Sequence, residues 1–315
     1  MSVSHWEAFY REGALAACPT GPEGTYTLEA RDVWVEFFAL LEDGARLLDI
    51  GTGNGAIALI ARETSAHTGR RLEIHGADLA RIDPLRDVPD GPRLLAGITF
   101  HPGVAAEKLP FAAGYFSAVT GQFALEYTDL RDSLSEVGRV LKEGGEAQFV
   151  IHHARSIVTE RARGLLHQAD VVLTQTHLYR KLRRFIESQR AANASRPWQE
   201  LSSALAVVRE TGPGDADRRV IEVTVDAVGK LLELRGRLTA AAITREIDSV
   251  ENSLRSHVRR LRDLMRVARD EVGMEDLAEQ ARVQGFTGVN YSPVFHNQVS
   301  LLGWRLRLLA PAKLP

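Results

Sequence analysis

The chain has 315 residues, 44% of them hydrophobic and 25% charged, enough to bury a core in one large domain or in one domain plus an insert. Lys and Arg total 39 against 41 Asp and Glu, a formal charge of −2, so the global balance lacks the basic excess of a nucleic-acid binder. The single cysteine, Cys18, excludes an intramolecular disulfide framework and a cysteine-based zinc cluster, and no stretch reaches about 18 uncharged apolar residues; a reducing, cytoplasmic setting without membrane contact or metal is expected.

Leu28, Val33, Val35, Phe37, Phe38, Leu40 and Leu41 repeat at helical spacing and predict a helix over 27–41, closed by Asp43-Gly44. A short apolar run over 46–50 then leads into Gly51-Thr52-Gly53-Asn54-Gly55 and an apolar segment over 56–62, the order strand, glycine loop, buried helix. Further strands are expected at 72–77, 98–101, 116–120 and 147–152, with a helix over 132–141 closed by a turn at Lys142-Glu143-Gly144-Gly145. Strands alternating with helices predict a parallel sheet covered on both faces.

From 154 to about 272 the strand signal fades. Ile243, Ile247, Val250, Leu254, Val258, Leu261, Met265 and Ala268 step by three or four residues and predict a long amphipathic helix. A partner stripe runs from Val158 to Ile186, and Thr211-Gly212-Pro213-Gly214-Asp215 marks a break, so a helical hairpin or small bundle is expected. The tail returns to α/β character, with a helix over 274–284 and strands over 289–295 and 301–309, the last completing the sheet.

A glycine-rich turn between strand and helix lets backbone N–H groups approach a ligand without a Cβ in the way. The dinucleotide fingerprint G-x-G-x-x-G would place glycine where Ala56 stands, and no Gly-Lys-Ser/Thr follows as a phosphate loop requires. Leu47-Leu48-Asp49-Ile50-Gly51-Thr52-Gly53-Asn54-Gly55 resembles motif I of the class I S-adenosylmethionine-dependent methyltransferases, and the resemblance covers roughly 46–153 and the tail. It implies a Rossmann-like α/β sheet whose last strand is antiparallel, built from 1–153 and 275–315, with a mainly helical insertion over 154–274 serving as lid, acceptor-binding element or dimerisation surface.

The resemblance further implies S-adenosylmethionine as cofactor, left as S-adenosylhomocysteine, held by Asp49, Gly51, Thr52, Gly53, Asn54, Gly55 and Gln122. Asp78, ending Ile74-His75-Gly76-Ala77-Asp78, stands where the family places an acid that accepts from the ribose hydroxyls. Ala106 and Glu107 fall in a segment similar to the one that lies against adenine; Ala105 departs from the aspartate many members carry there, leaving recognition to the backbone of Ala106 and Glu107 or to the Glu107 carboxylate. No Asn-Pro-Pro-Tyr or Asp-Pro-Pro-Tyr follows the fourth strand, which argues against enzymes acting on exocyclic base nitrogens or glutamine.

Four residues at the carboxyl edge of the expected sheet are candidates for catalysis: Glu126 and Tyr127 after the fourth strand, His152 and His153 after the fifth. The competing readings are a surface ion pair for Glu126, packing for Tyr127, and a methyl transfer that needs proximity alone. Trp6, Tyr10 and Tyr26 precede the first long helix, where an aromatic ring could cap a sulfonium or merely pack. Arg180-Lys181-Leu182-Arg183-Arg184 and Arg255, Arg259, Arg260 and Arg262 concentrate positive charge, either as a phosphate-receiving patch or as a solvated face paired with Asp248, Glu251 and Asp263. The apolar stripe over 243–268 reads as a bundle core, with a homodimer seam as the alternative. The expected function is methylation of an O, N or C nucleophile on a small organic acceptor; RNA, protein or carrier-bound acceptors and a non-catalytic cofactor-binding scaffold are the alternatives.

Overall fold

The computed structural model describes residues 3–18, 25–188, 195–212 and 217–310. In chain order, helices α1 (Ser4–Arg11) and α2 (Glu29–Ala39) precede strand β1 (Arg46–Ile50), α3 (Ala56–Thr68), β2 (Glu73–Asp78), the short α4 (Pro84–Asp87) and α5 (Gly91–Leu94), and β3 (Ile98–Pro102). Then come β4 (Phe116–Gln122), a 3-10 turn at Leu125–Tyr127, α6 (Leu130–Val140) and β5 (Leu141–His152). There follow α7 (Ile157–Asp170), a π-helical turn at Val171–Gln175, α8 (Leu178–Glu187), α9 (Ser195–Glu210), α10 (Arg219–Glu233) and α11 (Ala240–Val267), before α12 (Glu271–Val283), β6 (Thr287–His296) and β7 (Ser300–Leu309).

The chain separates into two compact units, Met1–Thr159 with Arg266–Pro315, and Glu160–Met265. In the first, seven strands form one sheet in the order β3-β2-β1-β4-β5-β7-β6. The first five are parallel to their neighbours, and β7 runs antiparallel to both β5 and β6. Strand β1 buries four of its five residues and β4 six of its seven, as a sheet covered on both faces requires. On one face α2 buries Ala30, Val33, Trp34, Phe37 and Phe38, a stripe of i, i+3, i+4, i+7, i+8. On the other, α6 starts at Asp129, whose side chain accepts from the Asp132 N–H, and buries Leu130, Leu134 and Val137. Sequence order reverses between β1 and β4, and the loops leaving their carboxyl ends open at that switch point, where ligands collect in such sheets.

The turn expected at Lys142–Gly145 is instead part of β5. Leu141 pairs with Phe116, the register then shifts so that Glu146 pairs with Ala118, and Gly144 takes the positive φ (+69°) the irregularity needs.

Among its described residues the second unit is mainly helical. Leu178, Leu182, Leu201, Val208, Ile221 and Val228 share a core with Ile243 and Ile247 of α11, and Val250 and Leu254 pack against it. That part of the stripe offered as a dimer seam is covered within its own unit, and toward its end Leu264, rather than Met265, takes the buried place. Of the expected break, Pro213, Gly214 and Asp215 lie outside the described residues, while α9 ends just before Thr211. No helix among the described residues is long and apolar enough to cross a membrane, and none of their His, Cys, Asp and Glu side chains forms a group able to hold a metal.

Candidate cofactor and acceptor site

Between β1 and α3 the chain turns through Gly51 (φ +61°), Gly53 (φ +53°) and Gly55 (φ +88°), a left-handed series that side-chain-bearing residues rarely adopt. At Gly53 the need is also steric, since a Cβ there would stand 2.5 Å from the ring of Tyr10. Helix α1 is fastened over the loop by Asn54, whose Nδ2 donates to the carbonyls of Tyr10 (2.9 Å) and Ala14 (2.8 Å) while its buried Oδ1 has no partner among the described residues.

Asp78, at the end of β2, receives the Gly53 N–H on Oδ2 and the Ala80 N–H on Oδ1, both at 2.8 Å. Burial raises its pKa to about 6 against those two hydrogen bonds. Asp49 lies beneath the loop with Oδ1 accepting from the Thr120 hydroxyl (3.0 Å), and burial carries its pKa to about 7. The Val104 N–H donates to the Asp78 carbonyl (2.8 Å), which holds the 104–107 segment beside the β2 end. Glu107 directs Oε1 to the Asp129 N–H at the start of α6 (2.9 Å), so that oxygen serves the helix rather than a base. Gln122 accepts from Trp34 Nε1 and leaves its buried Nε2 without a partner among the described residues.

The ends of β4 and β5 bring three of the four catalytic candidates together. Glu126 accepts the His152 N–H on Oε1 (2.8 Å), and its Oε2 is buried without a partner among the described residues. Burial lifts Glu126 to about 7 although the His152 N–H and, more weakly, Arg269 pull it down. The His152 ring stacks on Phe123 at 3.9 Å, burial depresses its pKa to about 3, and its buried Nδ1 is likewise unpartnered among the described residues. Tyr127 lies edge-on to His152 (6.1 Å) and to Trp6 (6.0 Å), and Trp6 stacks on Tyr10 (6.1 Å), so an aromatic series runs from the glycine loop to Glu126.

His153 is not part of this group. Successive strand residues face opposite sides, and His153 stacks on Trp304 (4.6 Å) with Nδ1 accepting the Arg155 N–H. Tyr26 also stands apart from the aromatic series: its buried hydroxyl is pushed up by burial and, next, by the neighbouring Cys18. Sequence reasoning missed Phe123, held at φ +55°, and Arg269. Arg269 falls in the stretch assigned to the insertion but belongs to the sheet unit, where its N–H donates to the His152 carbonyl (2.8 Å) and its buried Nε has no partner among the described residues. In the helical unit, Arg183 pairs with Asp248 and Glu251 from α11, and Arg255 pairs with Glu251 one turn before it.

Residues 48–149 match the family model of a methyltransferase domain. No curated protein matches the chain at a significant level. Among solved structures, a geranyl diphosphate methyltransferase in complex with GPP and sinefungin is similar at 21% identity, over 38% of this chain and 42% of that one, with a TM-score of 0.32. A putative S-adenosyl-L-methionine-dependent methyltransferase from Methanococcus maripaludis is 18% identical over 38% and 53% (TM-score 0.33), and one from Mesorhizobium loti 24% identical over 38% and 52% (TM-score 0.30). The match thus spans about half the length of these structures. The matched segment carries the glycine loop and the Asp78 carboxylate, and the sheet unit around it, with its antiparallel seventh strand, has a Rossmann-like fold similar to that of the class I S-adenosylmethionine-dependent methyltransferases.

Proposed function

We propose that the protein methylates a small organic acceptor, and that the acceptor's nucleophile meets Glu126 at the carboxyl ends of β4 and β5. The observation that carries this reading is the pair of buried, unpartnered atoms there, Glu126 Oε2 and His152 Nδ1, beside the ring of Tyr127. Buried polar atoms without partners cost about 1–3 kcal/mol each, a strain commonly kept where a ligand satisfies them.

The loop chemistry fits S-adenosylmethionine. Gly51 to Gly55 offer close backbone approach, Asp78 keeps lone pairs beyond its two N–H contacts for hydroxyls, and Asn54 Oδ1 and Gln122 Nε2 are unused acceptor and donor. When bound, that cofactor supplies an electrophilic methyl on a sulfonium. Trp6 and Tyr10 present ring faces suited to a cation and shield the loop from water. Glu126, with a pKa of about 7, is ionised in a useful fraction at neutral pH and takes the proton lost by an attacking hydroxyl or amine on Oε2. His152 stays neutral and orients the same group by a hydrogen bond at Nδ1.

Thermal unfolding with and without S-adenosylhomocysteine tests the cofactor. At about a hundred times its dissociation constant a ligand adds about 2.7 kcal/mol, worth roughly 2–4 °C per kcal/mol for a domain of this size. The parent should gain several degrees and Asp78→Ala clearly less; no gain in the parent would end the methyltransferase reading. Transfer of radiolabelled methyl to a panel of small hydroxy and amino acceptors, with RNA and protein fractions as alternatives, then tests the acceptor class.

A further inference from the structure

A cavity of about 270 Å³ lies within the helical unit, lined by Leu173 and His177, by Arg180 and Arg183 of α8 and by Glu251 and Arg255 of α11, with Val172 buried behind it. Arg183 donates to Asp248 and Glu251, and Arg255 to Glu251, so three guanidinium groups face two carboxylates. Burial favours a neutral Glu251, but Arg183 and Arg255 outweigh it and hold its pKa below the usual value, so the carboxylate remains charged. The excess positive charge falls on Arg180, an exposed side chain with no ion-pair partner among the described residues. Its setting is unusual: the first turn of α8 holds no acid to complement the helix end, and Arg180 and Lys181 stand there instead.

We propose that this cavity binds a small organic phosphomonoester, with the phosphate against Arg180 and the outer edge of Arg255 and the organic part against Leu173 and His177. A phosphomonoester carries about −1.5 to −2 charges near pH 7 on three terminal oxygens, so it can engage two guanidinium groups at once, whereas a carboxylate would be used up by one bidentate pairing. The volume sits just below the range of drug-sized pockets, room for one phosphate and a compact apolar body. A single excess charge in so small a cavity does not suit a polynucleotide, whose affinity grows with the number of phosphates neutralised. The inference is independent of the methyl-transfer reading.

The test is calorimetric titration of the full chain at low ionic strength with phenyl phosphate, inorganic phosphate and benzoate, in the presence of S-adenosylhomocysteine so that the sheet unit does not compete. Saturable one-to-one binding of phenyl phosphate, tighter than inorganic phosphate and tighter than benzoate, is expected. Arg180→Gln should weaken it at least tenfold. Arg184→Gln, on the same helix but outside the cavity and near Glu200, should leave it unchanged. Absence of saturable binding by the parent, equal losses in the two variants, or displacement by an RNA oligonucleotide at equal phosphate concentration would each overturn the proposal. Arg180 is exposed and unpaired, so its replacement removes no core contact, and an unchanged circular dichroism melt will verify that the variant is folded.

Discussion

The two ends of the candidate site both hold buried acids, and they treat them differently. At the glycine loop, Asp78 is met by two backbone N–H groups, one on each oxygen, so its charge is provided for by the fold itself, while Asp49 beneath it takes the Thr120 hydroxyl on Oδ1 and keeps Oδ2 buried without a partner among the described residues. At the β4 and β5 ends, Glu126 receives one N–H and keeps an oxygen unpartnered among the described residues, beside an unpartnered imidazole nitrogen. The first arrangement suits a ligand whose polar groups are invariant, and the second suits one that must bring its own proton. A fold can preorganise contacts to a fixed cofactor, but a group that takes up a proton has to be left incompletely satisfied until the substrate arrives.

The largest effect should come from Glu126→Gln, which keeps the shape and the His152 contact but removes the proton acceptor. A fall in kcat of about 10²–10⁴ is expected, with cofactor affinity within about twofold of the parent as read by the melting shift. An unchanged kcat would mean that proximity alone drives the transfer. The next largest should come from Gly53→Val, which forces a branched residue to φ +53° and drives its Cβ into the Tyr10 ring. Such backbone strain costs on the order of 1–3 kcal/mol, and displacement of α1 should weaken S-adenosylhomocysteine binding by roughly a hundredfold in calorimetry. A variant that bound as the parent does would show that the loop is not the cofactor cradle.

The same contrast explains what could be read from the sequence. Asp49, the glycine loop and α3 are contiguous, and Asp78 closes the next strand, so short-range pattern was enough to place them. Glu126 and His152 were legible as residues at strand ends, but their direct contact depends on the register of β4 against β5, with Gln122 opposite Val150. His152 and His153 could not be told apart, because alternation says that one faces each way without saying which face carries the site. Arg269 was illegible for a different reason: the whole helical unit separates it from His152 in sequence, and it returns through a single bridge to His153. In the helical unit the spacing of Ile243, Ile247, Val250 and Leu254 gave the helix and its buried face, whereas the cavity between α8 and α11 depends on cross-helix pairs such as Arg183 with Asp248 that no local pattern encodes.

The smallest effect concerns stability, and its sign separates the two kinds of buried group. Glu126, raised to about 7, holds a proton in the folded state that the unfolded chain gives up near its ordinary pKa of about 4.3. Between those values the folded state binds more protons, so this group favours folding at low pH, and the advantage is lost as pH rises toward 7. Asp49 and Asp78 act in the same direction, over windows ending near 7 and 6. His152, depressed to about 3, has the opposite sign, since the unfolded chain binds the extra proton between about 3 and 6.5 and stability from this group grows as pH rises. Above pH 6.5 the His152 contribution is complete and, of these four groups, only the acids still titrate, so their combined effect should lower the melting temperature from pH 6.5 to about 7. Glu126→Gln, which cannot ionise, should gain on the parent by up to about 1.4 kcal/mol per pH unit between pH 5 and 7, a few degrees in all. Parallel melting curves for parent and variant across that range would mean that water or a mobile neighbour already satisfies Glu126 Oε2, and the contrast between the two ends of the site would be lost.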